Sequence, residues 1–179
     1  MDVTALIDAL IDREGGYVAN PADRGGPTRF GITQATARAN GYAGDMAVLP
    51  RAVAAAIYQR LYWAKPGLDR IAALAPKLAA ELFDTGVNMG PETALGFLRR
   101  ALNALNRGAR DYADIPASGL VDTALFGALA AFLKTRGPAG ETVLIRAVDA
   151  LQGARYVALA EARPADEAFL YGWLANRVG

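Results

Sequence analysis

Apolar side chains recur every three and four residues along most of this sequence. The strict alternation that a half-buried sheet demands is absent outside a short stretch near residues 17–32. The expected fold is therefore all-α, mainly helical, with a small β-hairpin or irregular loop near residues 17–32. Val3, Leu6, Ile7, Leu10 and Ile11 mark the first helix. Thr33 can cap a short one over Gln34–Ala39 that Asn40-Gly41 ends, and Pro50 opens another reaching Trp63. Further helices are expected at about Pro76–Met89 and Thr93–Leu105, after Asp122 as an N-cap, and at roughly Glu141–Ala162 and Ala165–Arg177. No repeat or low-complexity tract interrupts them, and the Gly-, Asp- and Pro-rich loop over 107–119 is the one credible boundary.

The first helix stops at an unusual residue. Positions 3, 7, 10 and 14 continue one stripe, so Glu14 falls on the face expected to be buried, and Gly15-Gly16 then end the helix. Desolvation of a carboxylate disfavours its charged form, as a general acid working near neutral pH requires. The alternative is a solvated glutamate at a frayed helix end. The segment that follows is dense in backbone-fixing residues, Pro21, Gly25, Gly26, Pro27 and Gly31, interleaved with the polar groups of Asn20, Asp23, Thr28 and Thr33. Such density suits a shaped loop better than a flexible linker. Tyr17 and Phe30 add flat apolar faces that suit either sugar stacking or core packing.

Composition removes most rival chemistries. With no cysteine and no histidine, the chain can build neither Ser-His-Asp nor Cys-His nucleophilic sites, and a metal would have only oxygen ligands. Hydrolysis by carboxylates alone survives, and glycoside cleavage is its commonest form. No metal or organic cofactor is expected. Nineteen basic residues nearly balance eighteen acidic ones, which gives no electrostatic footprint for nucleic acid.

Glu14-Gly15-Gly16-Tyr17, Asn20-Pro21-Ala22-Asp23, Gly25-Gly26 with Thr28, and Phe30-Gly31-Ile32-Thr33 together resemble the opening motif of glycoside hydrolase family 108. That family comprises N-acetylmuramidases of phage endolysins and prophages, and the glutamate of its Glu-Gly-Gly-Tyr element is the catalytic one. The resemblance implies a lysozyme-like peptidoglycan hydrolase that cleaves between N-acetylmuramic acid and N-acetylglucosamine with Glu14 as general acid. Arg29-Phe30 departs from the polar residues usual after Thr28. A fainter similarity to phage-type lysozymes implies that Asp23 and Thr28 stabilise developing charge or position a water. Leu82-Phe83-Asp84-Thr85-Gly86-Val87-Asn88-Met89-Gly90 resembles the family's second signature, and implies Asn88 as a substrate contact beside Tyr17 and Phe30.

The tail resembles the companion domain of these muramidases through Ala150-Leu151-Gln152-Gly153, Arg155-Tyr156 and Phe169–Arg177. The organisation implied is a muramidase region over 1–106 and a helical peptidoglycan-binding-like region over 107–179, packed on it as one globular unit. The partner expected is bacterial peptidoglycan, bound by a monomer, with neither nucleic acid nor stable membrane insertion. The N-terminus has no positively charged leader, and Asp8 and Asp12 break its apolar run, so synthesis in the bacterial cytoplasm without a signal peptide and release to the periplasmic wall, for instance through a holin, are expected. Two rivals remain: a lytic transglycosylase using Glu14, and a non-catalytic cell-wall-binding or secretion-associated protein.

Overall fold

Helix α1 (Val3–Glu14) begins where the Asp2 carboxylate accepts from Thr4 N at 2.9 Å. It ends where Gly15, at φ +79, donates back to Ile11 O. The computed structural model describes residues 2–19, 26–116 and 119–178. It divides into two compact units, Met1–Ala64 and Lys65–Gly179. The expected mainly helical fold is what the described residues show.

In the first unit α1 buries Ile7, Leu10 and Ile11. Three two-residue strands follow, β1 (Tyr17–Val18), β2 (Thr28–Arg29) and β3 (Ile32–Thr33), antiparallel in the order β1-β2-β3. Helix α2 (Gln34–Ala39) starts at the expected Thr33 cap, whose hydroxyl accepts from Thr36 N at 3.2 Å. Helix α3 (Arg51–Tyr58) packs on α1 and continues as a π-helical stretch over Gln59–Ala64. The two helices are tied by one side chain. Arg51 Nε donates to Asp8 Oδ1 at 3.1 Å and Nη1 to Asp12 Oδ1 at 2.6 Å, while Nη2 reaches the Asp8 carbonyl at 2.8 Å. These contacts tie the Asp8–Asp12 turn of α1 to the first residue of α3.

The second unit is helical in its described residues: α4 (Leu68–Ala72), α5 (Pro76–Met89), α6 (Pro91–Leu105), α7 (Thr123–Arg136), α8 (Ala139–Ala162) and α9 (Glu167–Arg177). Its core is Leu78, Leu82 and Phe83 of α5 against Leu98 and Leu102 of α6 and Leu144 and Val148 of α8. The first turn of α5 has no side-chain cap of its own. Glu141 of α8 supplies one, its carboxylate accepting from Lys77 N at 2.7 Å and Leu78 N at 3.1 Å. The loop after α6 is laid along that helix by three polar residues. Arg99, 1% exposed, donates to the carbonyls of Pro116 (2.9 Å) and Leu120 (2.7 Å) and pairs with Asp122 at 3.1 Å. Asn103 bonds Ile115 through both N–H and C=O, and buried Asn106 accepts from the Asp111 and Tyr112 amides.

Between α5 and α8 lies a polar cluster. Thr85 Oγ1 is 3.0 Å from Gln152 Oε1 and 3.3 Å from Glu81 Oε1. Burial pushes Glu81 up to about 7, helped by the charges of Asp149 and Asp84, and burial also raises Asp149. A carboxyl whose folded value exceeds its unfolded one binds more protons when folded. Its contribution to stability is therefore intact below about pH 4.5 and lost as pH rises through about 7. Urea unfolding at pH 5 and pH 8 should show a loss of about 1–2 kcal/mol, allowing for the solvent the group still meets. In Glu81→Gln most of that loss should vanish. An unchanged pH slope in the variant would assign the effect to other groups.

Candidate functional site

Glu14 closes α1 as expected, at the end of the buried stripe rather than inside it. Its side chain is half-buried, where Ile7 and Leu10 are fully so. What it meets is the tip of a hairpin. Strands β2 and β3 pair with Arg29 opposite Ile32, leaving Phe30-Gly31 as a two-residue turn with φ +52 and +72. Positive φ at both central positions is the type I′ geometry that matches the twist of a hairpin. Gly31 adopts it freely; Phe30 does so at a cost of about 1–2 kcal/mol. The turn is held from outside, because Tyr58 at the end of α3 donates its hydroxyl to Phe30 O at 2.9 Å. The Arg29 guanidinium also lies 5.0 Å over the Phe30 ring.

Gly31 is the residue against which the site closes. A Cβ placed there would lie 3.0 Å from Glu14 Cγ and 3.1 Å from Glu14 Oε2, and nearer still to the Tyr58 hydroxyl. The carboxylate, the hydroxyl and the turn thus meet where only a hydrogen can stand. Tyr58 falls within the helix expected between Pro50 and Trp63. It is buried, 2% exposed, yet its hydroxyl reaches the site. The one signal in the sequence is that a buried tyrosine hydroxyl needs a partner.

The other expected residues are distributed differently. Residues opposite one another across antiparallel strands share a face, and neighbours along a strand alternate. Tyr17 pairs with Arg29 and so lies on the Ile32 face; Thr28 pairs with Val18 and Thr33 on the other. The sheet therefore does not bring Tyr17 and Thr28 to one side. Tyr17 is 44% exposed, and Phe30 is half-buried with Arg29 over its ring. Asp23 lies outside the described residues. Asn88 belongs to the second unit, exposed near the end of α5, where its amide donates to the carbonyl (2.9 Å) and carboxylate (3.1 Å) of Asp84. Trp63 is buried, and Tyr62 packs on Tyr58 with ring centres 5.6 Å apart. Among the described residues, no group of three or more acidic side chains is arranged to hold a metal ion.

Comparison with known proteins gives these residues a setting. Residues 7–90 match the glycosyl hydrolase 108 family, and residues 93–178 match the predicted peptidoglycan domain. On these matches the chain is a glycoside hydrolase acting on peptidoglycan. The first match spans Glu14, the hairpin and Tyr58, and runs on through α5. A solved structure of Brucella abortus SagA aligns with a TM-score of 0.71 at 22% identity, covering 98% of this chain and 88% of that one, which shows a shared fold. A search of curated proteins finds no match.

Proposed function

We propose that the protein is an N-acetylmuramidase that cleaves the β-1,4 bond from N-acetylmuramic acid to N-acetylglucosamine, with Glu14 protonating the leaving oxygen. The observation that carries this reading is the half-buried Glu14 carboxylate, fixed at a helix end against a strained hairpin turn inside the matched hydrolase domain. A glycosidic bond breaks through an oxocarbenium-like transition state, so a positioned acid needs a second group to support charge or water on the far side of the sugar. Asp23 is the candidate for that role, with Thr28 beside it. Asp23→Ala should lower the hydrolytic rate by at least roughly a hundredfold. A change of only a few-fold would make Asp23 a turn residue and favour a transglycosylase, in which the muramic acid 6-hydroxyl replaces water.

The deciding experiment is mass spectrometry of the soluble fragments released from purified peptidoglycan. Reducing N-acetylmuramic acid ends support the muramidase; 1,6-anhydro ends, lighter by one water, identify a transglycosylase. Binding to the wall with no fragments released would leave a wall-binding protein. The biological setting that fits this activity is a monomeric, phage-type bacteriolytic endolysin, made in the cytoplasm and released to the periplasmic wall. Release through a holin pore is the passage proposed for it, and among the described residues no helix is long and apolar enough to cross a membrane.

A further inference from the structure

The second unit carries a cavity of about 270 Å³ that the chemistry of Glu14 does not use. Four elements line it: Asn88 at the end of α5, Thr93 in the first turn of α6, Arg155 and Tyr156 on α8, and Trp173 and Arg177 on α9. Trp173 and Arg177 are four apart and so share one face of α9. Trp173 stacks on Tyr156 with ring centres 5.1 Å apart and an interplanar angle of 28°, and Phe169 follows at 6.1 Å from Trp173. No residue of α9 is fully buried, so this aromatic stack is a main attachment of the helix.

The polar inventory of the lining is one-sided. Among the described residues it holds two guanidinium groups, an amide, the hydroxyls of Thr93 and Tyr156 and the Trp173 indole N–H, and no carboxylate. Beside the lining, the Asp84 carboxylate accepts a hydrogen bond from the Asn88 amide at 3.1 Å. Arginine's planar fork matches a carboxylate bidentately, while the Tyr156-Trp173 wall suits an apolar or sugar-ring segment beside it. The ligand that fits is an anion carried on a partly apolar chain. In a peptidoglycan strand the disaccharide repeat offers rings and hydroxyls, and free carboxylates belong to the short stem peptides.

We infer that this cavity binds the carboxylates of peptidoglycan stem peptides, which makes it a peptide-reading site separate in chemistry from glycan cleavage. The inference rests on peptidoglycan as the substrate, and its test is arranged so that the two can fail apart. Muramyl tripeptide and neutral chitotetraose are titrated calorimetrically into the full chain and into Arg155→Glu, an exposed position whose change should leave the melting temperature unaltered. Tripeptide affinity should fall at least tenfold in the variant and should weaken with salt in the wild type, while any chitotetraose binding stays unchanged. Peptide-free glycan strands should be cut equally by both proteins, and intact wall more slowly by the variant. Equal tripeptide affinity in both proteins, or tripeptide binding by neither, overturns the inference even if glycan is cut. If neither protein cuts glycan, the hydrolase reading of Glu14 fails, and the tripeptide titration still decides the cavity.

Discussion

Glu14→Gln should abolish fragment release from purified peptidoglycan, with the rate down by at least roughly a thousandfold, while the protein remains folded. General acid catalysis contributes about 10²–10⁴-fold in well-positioned sites, and an amide of the same shape has no proton to give. The fold should tolerate the change because Glu14 is the last residue of α1, half-buried, and the helix end is closed by the Gly15 amide bonding Ile11 O rather than by the carboxylate. Far-ultraviolet circular dichroism and the melting temperature check the fold; turbidity loss and fragment mass check the chemistry. A glutamine variant within tenfold of wild type would remove Glu14 from the mechanism and leave the hairpin as a structural feature.

The helices were legible where their signals are local. The Gly15 stop, the Thr33 and Asp122 caps and the Pro76–Met89 limits of α5 all follow from residues inside or adjoining the element. The misses are equally physical. Helix α6 begins at Pro91, two residues before the expected Thr93, because proline needs no amide partner in a first turn. Helix α4 is five residues long, too short for any period to show. Nothing local announces that α3 passes into a π-helix at Gln59.

The site divides in the same way. Glu14 and Gly31 carry their own signals: a carboxylate on an apolar stripe and a glycine in a tight turn. Tyr58 carries only the general need of a buried hydroxyl for a partner, and that partner is a backbone carbonyl 28 residues away. The pairing of Glu81 with Asp149 and the ties from Arg99 to the 116–122 segment are likewise products of packing, joining residues that no spacing rule connects. The Phe30 conformation is a local conflict, a bulky residue at φ +52, and conflicts of this kind gather where the surrounding structure over-determines the backbone.

Gly31→Ala tests whether that over-determination serves the site. At φ +72 an alanine costs about 1–2 kcal/mol, and its methyl group would overlap the Tyr58 hydroxyl while crowding Glu14 Cγ at 3.0 Å and Oε2 at 3.1 Å. One of them must move. A total destabilisation of about 2–4 kcal/mol is expected in urea, because overpacking adds to the backbone term, and lysis should slow about a hundredfold as Glu14 is displaced. Tyr58→Phe separates the two contributions. Alone it removes the bond to Phe30 O and should cost about 1 kcal/mol. Combined with Gly31→Ala it removes the harder overlap, so the double variant should be more stable than the sum of the singles predicts. Lytic activity should stay low in it, because the alanine methyl still crowds Glu14. Additive stabilities would mean that the backbone, not the hydroxyl, carries the cost. Full activity in Gly31→Ala would show that the turn does not position the carboxylate at all.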